Sequence, residues 1–177
     1  MFSVFHESGI FMVTHWHCFV LLACNMIKSG GLCVRYCVNI VESNLFYRAK
    51  YPLVIINSLL STYGANGGCA YDTGCTFVKM VEARSLGLKV CDLKLCFMVG
   101  SFHGHAHNRK CQLNWHPMYI KGTGHTKGEG CEHVFSSLNL LACGVHHASW
   151  FHWHQAVEQH FGFWNEGKYE ALCILLI

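Results

Sequence analysis

This chain is short of charge, proline and aspartate. Charged residues make up 13% of its 177 positions, and there are two prolines. The only aspartates are Asp72 and Asp92. A net charge of +3 is too small to argue nucleic-acid binding through electrostatics alone. No CxxC pair occurs, so zinc-ribbon and thioredoxin readings have no support. No P-loop, dinucleotide fingerprint or serine-hydrolase elbow is found, and nothing points to a small-molecule substrate. The first residues hold His6 and Glu7 but no basic segment followed by an apolar core, so a secreted protein is not expected. The apolar stretch from Ile10 to Ile27 is interrupted by His15, Trp16, His17 and Asn25, and reads as two strands rather than a membrane span.

What is abundant is cysteine and histidine. Twelve cysteines without a secretory context read mostly as small buried apolar residues in a reducing compartment, nuclear or cytoplasmic. Eleven of the fourteen histidines lie from His103 onward. The length suits one domain with a sizeable core.

Periodicity predicts strands over Gly9 to Thr14 and Cys18 to Met26, joined as a hairpin, then a turn at Lys28 to Gly31. Pro52 opens a helix whose apolar face is Leu53, Ile56, Leu59 and Leu60, ending near Gly64. Cys69 to Tyr71 reads as a short strand with Asp72 at its end. A helix over Phe77 to Ser85 is expected to stop near Gly87, and a buried strand to run from Leu93 to Val99. Helices are expected over Phe102 to Leu113, Glu129 to Leu141 and Ser149 to Trp164. The order is that of an α/β protein.

The chemistry concentrates in two blocks. One runs Phe102-His-Gly-His-Ala-His107 to Cys111; the other is Gly128-Glu-Gly-Cys-Glu132. On a continuous helix, His103, His107 and Cys111 at i, i+4 and i+8 share one face, a set that Zn²⁺ accepts, with His116 or Cys131 open as a fourth ligand. Hydrogen-bonded helix histidines, or histidines lining a substrate channel, are the alternatives. Asp72 beside a glycine at a strand end is placed either to project a carboxylate into a cleft or to form a turn. Glu129 and Glu132, three apart, face the same way, as metal-binding acids or as helix-start acids favoured by the macrodipole. Asp92 reads as a solvated turn residue. His146, His147, His152 and His154 read as surface or phosphate-proximal groups; Arg109 and Lys110 could touch DNA phosphates but are too few to define a DNA surface. Phe102, Trp115 and Phe135 read as core rather than as base-stacking platforms.

These blocks resemble the transposase domain of the Kyakuja-Dileera-Zisupton (KDZ) family, abundant in mushroom-forming (basidiomycete) fungi. The resemblance rests on Glu7-Ser-Gly-Ile-Phe11, Phe19-Val-Leu-Leu22, Met26-Ile-Lys-Ser-Gly30, Lys50-Tyr-Pro-Leu53, Tyr71-Asp-Thr-Gly-Cys75 and Phe102 through Cys111-Gln112 to His116-Pro117. Gly128-Glu-Gly-Cys-Glu132, Phe135-Ser-Ser137 and His160-Phe-Gly-Phe-Trp164 continue it in the same order.

It implies an incomplete ribonuclease H-like domain lacking its first strand, with a helical insertion and C-terminal helices, a single partial transposase domain over 1–177. It also implies metal-dependent DNA cleavage and strand transfer with Mg²⁺ or Mn²⁺, Asp72 as second acid and Glu129 as third. Glu132 is then a supporting or alternate ligand. The family's first acid lies upstream of where this chain starts, so the chain is expected to be inactive alone. His103, His107 and Cys111 also belong to the resemblance, which strengthens the zinc reading. Residues 33–48 interrupt the family pattern and read as a retained intron or a loop insertion. The competing expectation is a non-enzymatic, zinc-stapled DNA- or protein-binding domain. The oligomeric state is not legible.

Overall fold

The computed structural model describes residues 7–27 and 50–175. The expected turn at Lys28 to Gly31 and the suspected insertion at 33–48 lie outside the described residues. The elements in chain order are β1 (Glu7–Thr14), β2 (Val20–Ile27), α1 (Lys50–Tyr63), β3 (Gly68–Ala70), α2 (Gly74–Glu82), α3 (Leu86–Asp92), β4 (Cys96–Met98), α4 (Ser101–Gly104), α5 (Arg109–Trp115), a 3₁₀ turn (Pro117–Tyr119), α6 (Gly130–Val145) and α7 (Trp150–Leu175). The described residues form a mixed helix-and-strand fold with two small sheets, consistent with the expected α/β class.

Two compact units emerge: Met1–Phe11 with Cys24–Glu129, and Met12–Ala23 with Gly130–Ile177. In the first, β3 and β4 pair in parallel, with Gly68 opposite Cys96 and Ala70 opposite Met98. Parallel strands need a crossover, here supplied by α2 and α3. Pro52, Ile55, Ile56 and Leu60 are the buried face of α1. Ile56 and Leu60 join Phe77, Val81 and Phe97 in the core, with Leu53, Leu59, Tyr71 and Trp115 packed around them.

The expected helix stop at Gly87 is corrected. Gly87 lies inside α3, and a Cβ there would meet the Glu82 backbone at 2.8 Å. The glycine permits close passage of α3 under the end of α2, so it marks packing rather than termination. Consequently the strand expected from Leu93 shortens to Cys96–Met98. The helix expected over Phe102 to Leu113 is broken into α4 and α5. Asn108, extended at ψ 158°, accepts a hydrogen bond from the Cys111 N–H at 2.9 Å and so caps a new helix. Asparagine favours this capping role over a mid-helix position.

In the second unit, α6 and α7 pack together. The hairpin tip turns at His15, whose N–H donates to the Phe19 carbonyl at 2.8 Å. Asn165 on α7 reads the Val20 peptide from both sides: its Oδ1 accepts from the Val20 N–H at 2.8 Å, and its Nδ2 donates to the Val20 carbonyl at 3.0 Å. Trp164 Nε1 donates to the Cys18 carbonyl at 2.7 Å. Asn165→Ala removes both Asn165 bonds and is expected to cost about 1–3 kcal/mol. Thermal denaturation checks the magnitude. Faster hydrogen exchange at the Val20 amide checks the location.

Two further expectations change. None of the ten described cysteines is in a disulfide, but seven are half-buried and Cys91, Cys143 and Cys173 are exposed, so none of the ten is a fully buried core residue. Phe102, read as core, is 76% exposed. Among the described residues, no helix is long and apolar enough to cross a membrane.

Candidate functional site

Because β3 and β4 run parallel and in register, the residues after each strand emerge at the same edge of the sheet, where α/β proteins place their ligands. Asp72 comes just after β3. The Tyr71 N–H continues the strand pairing by donating to the Met98 carbonyl at 3.0 Å, and the Gly74 N–H closes a turn on the Tyr71 carbonyl at 2.7 Å. Tyr71 is itself edge-on to Phe77 in the core, 5.3 Å between centroids. Asp72 is therefore set by the core one residue before it. His103 comes after β4, on α4.

Glu129 reaches the same point from the segment before α6. Its Oε1 accepts from the Phe102 N–H at 3.0 Å. Two glycines make room for it. A Cβ on Gly100 would meet Glu129 Oε1, and Gly128 has a left-handed backbone, φ +71°, with Ala70 against the position of its missing side chain.

The outcome is a convergence of three groups within the first unit. His103 Nδ1 lies 3.3 Å from Asp72 Oδ1 and 3.3 Å from Glu129 Oε2. The three side chains are 11%, 17% and 14% exposed, so water reaches them only in part. At neither carboxylate does His103 Nδ1 have the alignment of a hydrogen bond. Adjacent ligands of an octahedral Mg²⁺ lie about 3 Å apart, given its bond lengths of about 2.1 Å. His103 Nδ1 stands at about that separation from one oxygen of each carboxylate.

The break between α4 and α5 takes His103 off the expected line with His107 and Cys111. What the structure brings to those two is Cys75, on the first turn of α2. Cys75 Sγ is 3.5 Å from His107 Nδ1, which is 3.1 Å from Cys111 Sγ. All three are half-buried, with ligand atoms within 4.8 Å of one another. Burial raises the Cys111 thiol, and the hydrogen bond and charge of Cys75 raise it further, to about 11. The sequence held a signal for Cys75: it closes the Tyr71-Asp-Thr-Gly-Cys75 block, three residues past Asp72.

Neither residue open as a fourth ligand is at this cluster. His116 Nδ1 accepts from the Met118 N–H at 3.2 Å and caps the 3₁₀ turn. Cys131 is in the second unit, 3.6 Å from Thr14 Oγ1. Glu132 is exposed on the first turn of α6, also in the second unit. Asp92 is exposed at the end of α3. Arg109 and Lys110 are exposed on α5, and His146, His147 and His152 are exposed around the start of α7.

The fold and its donor groups define a mixed α/β protein whose first unit carries a Cys/His group of the kind that holds metal ions. The sequence model of the Kyakuja-Dileera-Zisupton transposase matches residues 1–165, and the chain belongs to that family. No curated protein matches, and no solved structure does.

Proposed function

We propose that the first unit is part of a ribonuclease H-like DNA transposase domain whose ancestral chemistry is metal-dependent strand cleavage and transfer. Asp72 and Glu129 are its metal-binding acids and His103 is the third ligand. One observation carries this reading: Asp72 and Glu129 converge on His103 Nδ1 at 3.3 Å each, at the carboxyl edge of two parallel strands. Membership of a transposase family supports DNA as the partner.

Mg²⁺ or Mn²⁺ bound here would supply Lewis-acid stabilisation of the charge developing on phosphodiester oxygens. The chain's own residues do the positioning. The Phe102 N–H fixes one Glu129 oxygen and leaves the other for the ion. The turn closed by Gly74 aims Asp72. Exposed Phe102, next to His103, offers an aromatic face to an unpaired base.

Two-ion phosphoryl transfer needs both ions held about 3.5–4 Å apart. The proposed ligands Asp72, Glu129 and His103 make one ion site, so the chain is expected to bind the cation without cutting DNA by itself. Supercoiled plasmid incubated with the purified chain and Mn²⁺ is expected to stay closed. Nicking that disappears with Asp72→Ala would overturn the single-ion reading. Nicking unaffected by Asp72→Ala and Glu129→Ala together would overturn the site.

A further inference from the structure

The geometry points to a second and chemically different metal centre: Cys75, His107 and Cys111 together hold one zinc ion. Ligands on a tetrahedral zinc, with bonds of about 2.3 Å to sulfur and about 2.0–2.1 Å to nitrogen, lie about 3.5 Å apart. The separations from His107 Nδ1 to the two sulfurs are 3.5 and 3.1 Å. Two thiolates and an imidazole form a donor set that selects zinc over Mg²⁺ or Ca²⁺, and Asp72, His103 and Glu129 form the opposite, oxygen-rich set. Only the Cys75 centre offers sulfur, so a thiolate-to-metal signal reports it and not the carboxylate set.

The ligands come from three places in the chain. Cys75 is on the first turn of α2, His107 on the segment between α4 and α5, and Cys111 on α5. Neither α4, of four residues, nor α5, of seven, is long enough to be a stable helix in isolation. A zinc ion tying them to α2 would fix both. Asp72 is three residues before Cys75, and His103 is four before His107. The ion thus ties the segment carrying Asp72 to the segment carrying His103. This positioning role rests on Asp72 and His103 being ligands of the hard cation; the zinc site itself does not.

The test uses the full chain, purified without chelator. Elemental analysis is expected to find one zinc per chain. Zinc-edge X-ray absorption, which needs no variant, is expected to show two sulfur neighbours at about 2.3 Å, with nitrogen or oxygen completing the shell. After exchange with Co²⁺, the thiolate-to-metal charge-transfer band is expected to lose about half its intensity in Cys75→Ser or Cys111→Ser and to vanish in the double variant. Cys75→His is expected to keep the ion. His103→Asn and Asp72→Ala are expected to leave the band unchanged, which separates this site from the carboxylate site. A chain without stoichiometric zinc, a Cys75–Cys111 disulfide in non-reducing peptide mapping, or a band indifferent to Cys75→Ser would each overturn the proposal.

Discussion

Phe77→Ala is expected to destabilise the first unit by about 3–5 kcal/mol, the cost of emptying a large aromatic site in a packed core. Phe77 is 3% exposed and stands between two rings, Tyr71 at 5.3 Å and Phe97 at 5.7 Å, both edge to face. Such pairs add to the effect of buried area alone. Domains of this size are stable by about 5–15 kcal/mol, so the loss removes a large part of the whole. The consequence reaches the site, because Tyr71 leans on Phe77 and Asp72 is the next residue after Tyr71. Urea denaturation checks it: the midpoint falls with the slope unchanged if the native core alone is affected. Phe102→Ala is the matched control. At 76% exposure it is expected to stay within about 0.5 kcal/mol of the parent. Equal losses for the two variants would contradict the placement of the core.

The second large effect is on cation binding. Asp72→Ala and Glu129→Ala are each expected to weaken Mn²⁺ binding by at least about ten-fold, the lower end of what even outer partners of a metal site contribute. Each substitution removes one of the two charged donors beside His103. Gly100→Ala is expected to act in the same direction without touching a ligand, because its Cβ would occupy the place of the Glu129 carboxylate. Calorimetric titration with Mn²⁺ measures all three. The expected order is strong binding in the parent and weak binding in every variant, with thermal unfolding of Asp72→Ala near that of the parent. A Gly100→Ala chain that binds as the parent does would show that Glu129 is not held where its contacts place it.

Much of the fold is readable where local pattern and tertiary packing agree. The hairpin strands, the Pro52 helix and the strand before Asp72 arise from alternation, a fixed proline φ and a short β-forming run. Sequence reading fails where two local rules compete. Gly87 looks like a helix stop because glycine usually is one, yet here it answers to the Glu82 backbone beside it. Asn108 sits in what reads as a helical stretch, yet its side chain serves the Cys111 N–H better as a cap than it would inside a helix. That one cap changes the site. With the helix continuous, His103 belongs with His107 and Cys111; with it broken, His103 faces Asp72 and Glu129.

Asp72 and Glu129 are legible as acids from their chain context and from the family resemblance, but their meeting point is not. That meeting depends on the parallel register of β3 and β4, with each strand only three residues long. Cys75 escapes a reading by spacing because nothing in the sequence links position 75 to position 107. The two are joined by the packing of α2 against α5. Phe102 reads as core because aromatic residues usually are, yet it points to water beside the donor groups.

Asp72, His103 and Glu129 are proposed to share one hard cation. Pulsed electron paramagnetic resonance of the full chain with Mn²⁺ tests it most directly. The expected result is one bound Mn²⁺ with a nitrogen coupling that disappears in His103→Ala, and loss of the bound species in Asp72→Ala. Mn²⁺ that stays free in the parent chain, or a nitrogen coupling that survives His103→Ala, would contradict it.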